Sequence, residues 1–172
     1  MSPRLPPLKY ENNIVKCKAT RNIPEIEIIG YKLNSVEEDN EFNTFYWIAR
    51  ELARNGLIEY DEATLDNNEW TQIHFKERIN PAGPPGRLPD DFYSKAYQTF
   101  TSSEDLNDST YMNRMRARYR DILESRINRI TRLATSEADS PTRVLQPQEI
   151  SLYDKIHKIV SKWRKDMREI GE

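Results

Sequence analysis

The chain has 172 residues, of which 37% are hydrophobic and 31% charged, and 26 basic against 28 acidic side chains leave a net charge of −2. That length holds one ordinary domain or two small ones. The charge excludes nucleic-acid binding by bulk electrostatics, because residues 1–87 carry an acidic excess and the rest is close to balance. The single cysteine, Cys17, excludes an internal disulfide and a cysteine metal cluster, and no apolar run approaches the roughly 20 residues of a membrane span.

The N-terminal stretch Met1–Lys9 carries three prolines and no apolar run, so it does not read as a signal peptide. With the lone cysteine, this predicts a reducing, cytoplasmic setting. Ile14 to Thr20 partly alternates and predicts a strand, and Glu25 to Leu33 a second strand interrupted at Gly30. Asn34 to Asn40 is acidic and turn-rich. Phe45, Ile48, Ala49 and Leu52 then share one face of a short helix over about Asn43–Arg54, which Asn55-Gly56 ends. Leu57–Tyr60 and Trp70–Glu77 predict two more strands around a polar turn.

Asn80–Pro89 holds four prolines and two glycines, so neither helix nor sheet should cross it. It marks a domain boundary, with residues 1–80 as a small unit, 81–89 as linker and 90–172 as a helical unit. Beyond it, Asp90 or Asp91 can cap a helix whose Phe92, Tyr93, Ala96, Tyr97 and Phe100 share a side. Thr101–Ser109 is a polar loop. A long helix follows over about Thr110–Thr135, with Met112, Arg116, Tyr119, Leu123, Ile127, Ile130 and Ala134 at helical spacing. Glu137–Thr142 breaks it, and Pro147 starts a last helix reaching about Ile170. In that helix Tyr153, Ile156, Val160, Trp163, Met167 and Ile170 alternate spacings of three and four. The fold class is therefore α+β, a small N-terminal β-rich domain followed by a C-terminal helical bundle domain. So small an apolar fraction for this length implies that some apolar surface is buried against other chains.

Residues for chemistry are sparse. The five glycines form no phosphate-binding loop. His74 and His157 lack metal-ligand spacing, and Cys17 lacks the flanking pattern of a thiol nucleophile. Asp90-Asp91 do not face each other on a helix, so capping explains them better than paired catalysis. No catalytic, cofactor or metal site is expected. Arg114, Arg116, Arg118, Arg120, Arg126, Arg129 and Arg132 crowd the long helix. They admit two readings, phosphate contact or a solvated face that meets acidic partner surfaces through forked donors. Their even spacing spreads them around the helix and favours the second. The stripe on the last helix either closes an internal bundle or lies at a subunit seam.

Four segments carry a family resemblance. Phe45-Tyr46-Trp47-Ile48-Ala49-Arg50-Glu51-Leu52 resembles the small-domain helix of GINS subunits, in which Phe45, Trp47, Ile48 and Leu52 stand out. Leu88-Pro89-Asp90-Asp91-Phe92-Tyr93 resembles the lead-in to the family's helical domain. Arg120-Asp121-Ile122-Leu123-Glu124-Ser125-Arg126-Ile127-Asn128-Arg129-Ile130 resembles its Asp-Ile-x-x-x-Arg-x-x-Lys-Ile helix, with Arg129 where lysine is usual, and Gln148 to Tyr153 resembles its Glu-x-x-Leu-Tyr start of the last helix. The small-domain-first order resembles an archaeal subunit equivalent to the eukaryotic second and third partners. The resemblance implies a replication subunit without catalysis or cofactor. It implies assembly with a second GINS subunit of opposite domain order as a hetero-oligomer, such as a tetramer, and docking on the MCM helicase and a RecJ-like partner. Expected interface residues are Tyr153, Ile156, Val160, Trp163, Met167, Phe92, Tyr93, Tyr97, Arg118, Arg126 and Arg129. DNA contact would be weak.

The alternative is a winged-helix nucleic-acid-binding protein, with Phe42–Tyr60 as recognition helix and Trp70–Arg78 as a β wing. Against it, that stretch carries Glu41, Glu51, Glu59, Asp61, Glu62, Asp66 and Glu69, and only Arg50 and Arg54 on the reading helix.

Overall fold

The structure, a computed structural model, describes residues 9–102, 109–136 and 142–170. The chain divides into two compact units, Met1–Ala63 and Thr64–Glu172.

In the first unit, β1 (Ile14–Ala19) is the centre of an antiparallel sheet between β4 (Glu41–Phe45) and β5 (Ile58–Tyr60). Its alternation is that of a half-buried strand. Cys17 and Ala19 point inward, while Lys16 and Lys18 point outward to Glu41 and Asp39. The expected interrupted strand is a hairpin, β2 (Ile26–Ile28) and β3 (Tyr31–Leu33), paired from Ile26↔Leu33 to Ile28↔Tyr31. Gly30 at φ +81° supplies the left-handed turn that other residues resist. The helix α1 spans Tyr46–Arg54, three residues later than expected, because residues 41–45 join the sheet instead. Gly56, at φ +66°, ends α1. Its N–H reaches the Ala53 carbonyl and that of Leu57 reaches Leu52, the paired bonds of a glycine C-cap. Cys17, Ala19, Ile23, Leu33, Ile48, Ala49, Leu52 and Ile58 form this unit's core.

The second unit holds α2 (Asn67–Ile79), α3 (Phe92–Ser102), α4 (Ser109–Thr135), a 3-10 turn at Thr142–Val144 and α5 (Pro147–Arg168). The strand expected over Trp70–Glu77 is corrected to α2. Asp66 and Glu69 form a reciprocal capping box, with bonds of 2.7 and 2.8 Å. Trp70, Ile73 and Glu77 are buried at i, i+3 and i+7, whereas Phe75 is 63% exposed. The winged-helix alternative loses its wing with this correction. The Trp70 ring lies 5.8 Å from Phe92, 5.6 Å from Phe100 and 6.1 Å from Tyr119, joining α2, α3 and α4 in one aromatic core.

The units part at Ala63–Thr64, so residues 81–89 lie inside the second unit rather than between the two. Proline-rich backbone is short of donors but keeps its carbonyls. Three arginines of α4, three residues apart, donate to them in order: Arg126 to Gly86, Arg129 to Pro84 and Arg132 to Pro81. The buried line of α4 accordingly runs through Met115, Ile122, Arg126, Arg129, Ile130 and Ala134, whereas the expected line placed Arg116 and Ile127 inward. Both of those are exposed. The breaks expected at Thr101–Ser109 and Glu137–Thr142 fall mostly outside the described residues.

Arg126 meets Glu149, and Ala134 meets His157, with 23 positions between partners in both pairs. Ile130 and Tyr153 share a core at the same offset. A constant offset means that α5 runs parallel to α4. Thr135, where α4 ends, is then level with Lys158, and α5 continues for about ten residues, roughly 15 Å, beyond that point.

Candidate assembly surface

The start of α5 is fixed by one carboxylate. Glu149 accepts from the Gln146 backbone N–H at 2.9 Å, closing a capping box at the helix start. It also takes both arms of the Arg126 fork, Nε and Nη2, each at 2.7 Å, and the Tyr93 hydroxyl at 2.8 Å. The other Arg126 arm, Nη1, reaches Glu77 at 3.2 Å and the Gly86 carbonyl at 2.6 Å. Arg129 adds a bond to the Glu77 carbonyl at 2.6 Å. Arg126, Arg129, Glu77 and Glu149 are all buried, so two guanidinium and two carboxylate groups balance where isolated charge would be costly. Burial by itself would lower the Arg126 pKa, but the bonds and charge of Glu149, joined by Glu77, move it up. Burial, with the charge of Glu149, pushes the Tyr93 hydroxyl well above its ordinary value.

This placement corrects several expected interface residues. Phe92, Tyr153, Arg126 and Arg129 are interior to the chain. They serve its own packing, Arg126 and Arg129 in the network with Glu77 and Glu149, Phe92 in the aromatic core, and Tyr153 in the core between α4 and α5. Tyr93, Tyr97, Ile156 and Val160 are half-buried. Arg118 bonds Asn67 at 3.0 Å and Thr71 at 3.1 Å, tying α4 to α2. In the first unit Ile48 and Leu52 are core, Phe45 packs 5.4 Å from Tyr31, and Trp47 is 37% exposed.

The far half of α5 differs. Ile159 is 68% exposed, Trp163 61%, Met167 43% and Ile170 76%. The first half of the expected stripe, Tyr153, Ile156 and Val160, is buried or half-buried, while its second half, Trp163, Met167 and Ile170, is exposed. Leu152, Ile156, Ile159, Trp163, Asp166 and Ile170 alternate spacings of four and three, the period of a helix seam. Leu152, Ile159 and Asp166 are the members that the first pattern leaves out. The signal that finds them is the second heptad phase.

Among the described residues no three His, Cys, Asp or Glu side chains stand where they would hold a metal ion. His74 pairs with Asp121 at 3.1 Å and His157 with the Ala134 carbonyl at 3.1 Å. Burial pushes the Cys17 thiol up to about 11, away from the reactive thiolate. No helix of the described residues is long and apolar enough to cross a membrane.

Residues 58–168 match the family model for the GINS complex protein helical bundle domain. The chain belongs to the GINS family. The match spans most of the chain, including the proline segment and the clamp at Glu149. It makes this protein a subunit of the GINS complex, which works in DNA replication together with other GINS subunits. No curated protein matches the chain. The Glu-x-x-Leu-Tyr resemblance now has a physical basis in this GINS subunit, since Glu149 and Tyr153 are both buried in the α4–α5 contact.

Proposed function

We propose that this GINS subunit is a non-enzymatic scaffold whose overhanging end of α5 seats a second subunit of opposite domain order. The resulting hetero-oligomer, of tetramer type, then docks on the MCM replicative helicase and a RecJ-like partner to promote unwinding. The order of the units, small β-rich then helical, supports the archaeal-type assignment made from the sequence. Its place of action is the cytoplasm, with the chromosome.

The observation that carries the reading is the exposure of Ile159, Trp163, Met167 and Ile170 along one stretch. Monomeric surfaces seldom concentrate large apolar side chains in this way, and Trp is enriched in the centres of interfaces. Co-expression with a GINS subunit of opposite domain order, followed by native mass measurement, tests it. A stable hetero-oligomer is expected. A compact, thermostable monomer that gains no stability from that subunit would contradict it.

A further inference from the structure

The rim of the exposed seam carries information about what lies on it. Lys155 and Lys162 border the stripe on the side away from α4, and Lys158 and Lys165 follow further round, with Glu169 between the two rows at the helix end. All four lysines are exposed. Among the described residues no carboxylate lies within ion-pair distance of any of them. The seam itself contains one polar residue, Asp166, between Trp163 and Ile170. Residues at the edges of a helix seam choose the partner by charge, and a lone polar residue within it fixes register.

We infer that the far half of α5 takes one amphipathic helix of another chain, apolar along its seam, acidic along the edge facing Lys155 and Lys162, and basic opposite Asp166. The inference rests on the assembly reading above and adds the chemistry of the partner. A second copy of this chain is disfavoured, because equivalent α5 helices would bring lysine rims together at the cost of like-charge repulsion. A nucleic-acid strand satisfies the lysines but leaves the exposed Ile159 and Ile170 in water. A helix with an acidic edge satisfies both features at once.

The test uses the full chain and two designed helical peptides of about 28 residues, long enough to limit the helix-nucleation penalty. They share leucine seams and a lysine opposite Asp166 and differ only in rim charge, glutamate against lysine. Binding is read by anisotropy of a label on the peptide. The glutamate-rim peptide should bind at least about tenfold tighter at low salt, with the gap narrowing as salt rises. In the double variant Lys155→Glu, Lys162→Glu the preference should reverse, and circular dichroism should show unchanged helix content because both positions are exposed. Equal binding of the two peptides overturns the inference. So does failure of both to bind while the chain still joins a GINS subunit, an outcome that leaves the assembly reading standing. Displacement of the glutamate-rim peptide by a single-stranded oligonucleotide of equal charge would also overturn it, showing a general polyanion surface.

Discussion

Residues 147–156 and 159–168 of α5 share one heptad pattern but differ in what faces them. The first stretch lies beside α4, its Glu149 clamped by Arg126 and its Tyr153 buried. The second lies past the end of α4 and leaves Trp163 61% exposed. The difference teaches that periodicity states which side of a helix is apolar, while the length of the neighbouring helix decides how much of that side the chain covers itself.

The largest effect expected from breaking this contrast is at the clamp. Glu149→Ala strips Arg126 of its bidentate partner and removes a capping bond. Loss of one member of a buried pair typically costs about 3–5 kcal/mol. Denaturant unfolding of the variant should show a loss of that size, and a loss under about 1 kcal/mol would mean that the network is not what holds α5. Trp163→Ala makes the opposite case. The side chain is exposed, so the isolated chain should lose less than about 0.5 kcal/mol, while affinity for a partner subunit should fall by about 2 kcal/mol or more, as for an interface anchor. Chemical denaturation together with titration of the partner separates the two.

How much of this was legible in the sequence depended on whether a signal was local. β1, the glycine stop after α1, the span of α4 and Pro147 at the start of α5 follow from alternation, capping and periodicity within a few residues. The helix at Asn67–Ile79 was misread because Ile73 and Phe75 mimic strand alternation, although the Asp66-x-x-Glu69 capping box was present in the sequence. Arg114, Arg116 and Arg120 of α4 are exposed as expected, while Arg126, Arg129 and Arg132 depart from the expected solvated face that meets partners for a different reason. Their partners are Glu77, Glu149 and the carbonyls of residues 81–86, each about 23 to 52 positions away. Only the fold brings these together. The proline segment read as a linker because its composition predicts no regular structure, which is right, but not that α4 would bind its carbonyls.

A smaller effect sharpens that point. Arg129 bonds two carbonyls, of Glu77 and Pro84, with separate nitrogens, a geometry that one ammonium group does not reproduce. Arg129→Lys should cost about 1–2 kcal/mol and speed proteolytic cutting within residues 81–86. An unchanged cutting pattern would show that the segment is held by other contacts. The smallest effect lies in the first unit. The folded Cys17 keeps its proton up to about 11, against an unperturbed 9.0. Between those values the unfolded chain releases the proton and the folded one holds it, so stability falls as pH rises through that window. Cys17→Ser, compared with the wild type from pH 8 to 11, should remove that part of the decline.

The central claim is that the end of α5 is uncovered in the chain and covered in the assembly. Amide hydrogen exchange of the full chain, alone and after mixing with a GINS subunit of opposite domain order, tests it most directly. The account predicts that residues 147–156 are protected in both states, while residues 159–168 exchange fast in the free chain and slow markedly on assembly. A complex that forms while exchange across 159–168 stays unchanged would contradict it.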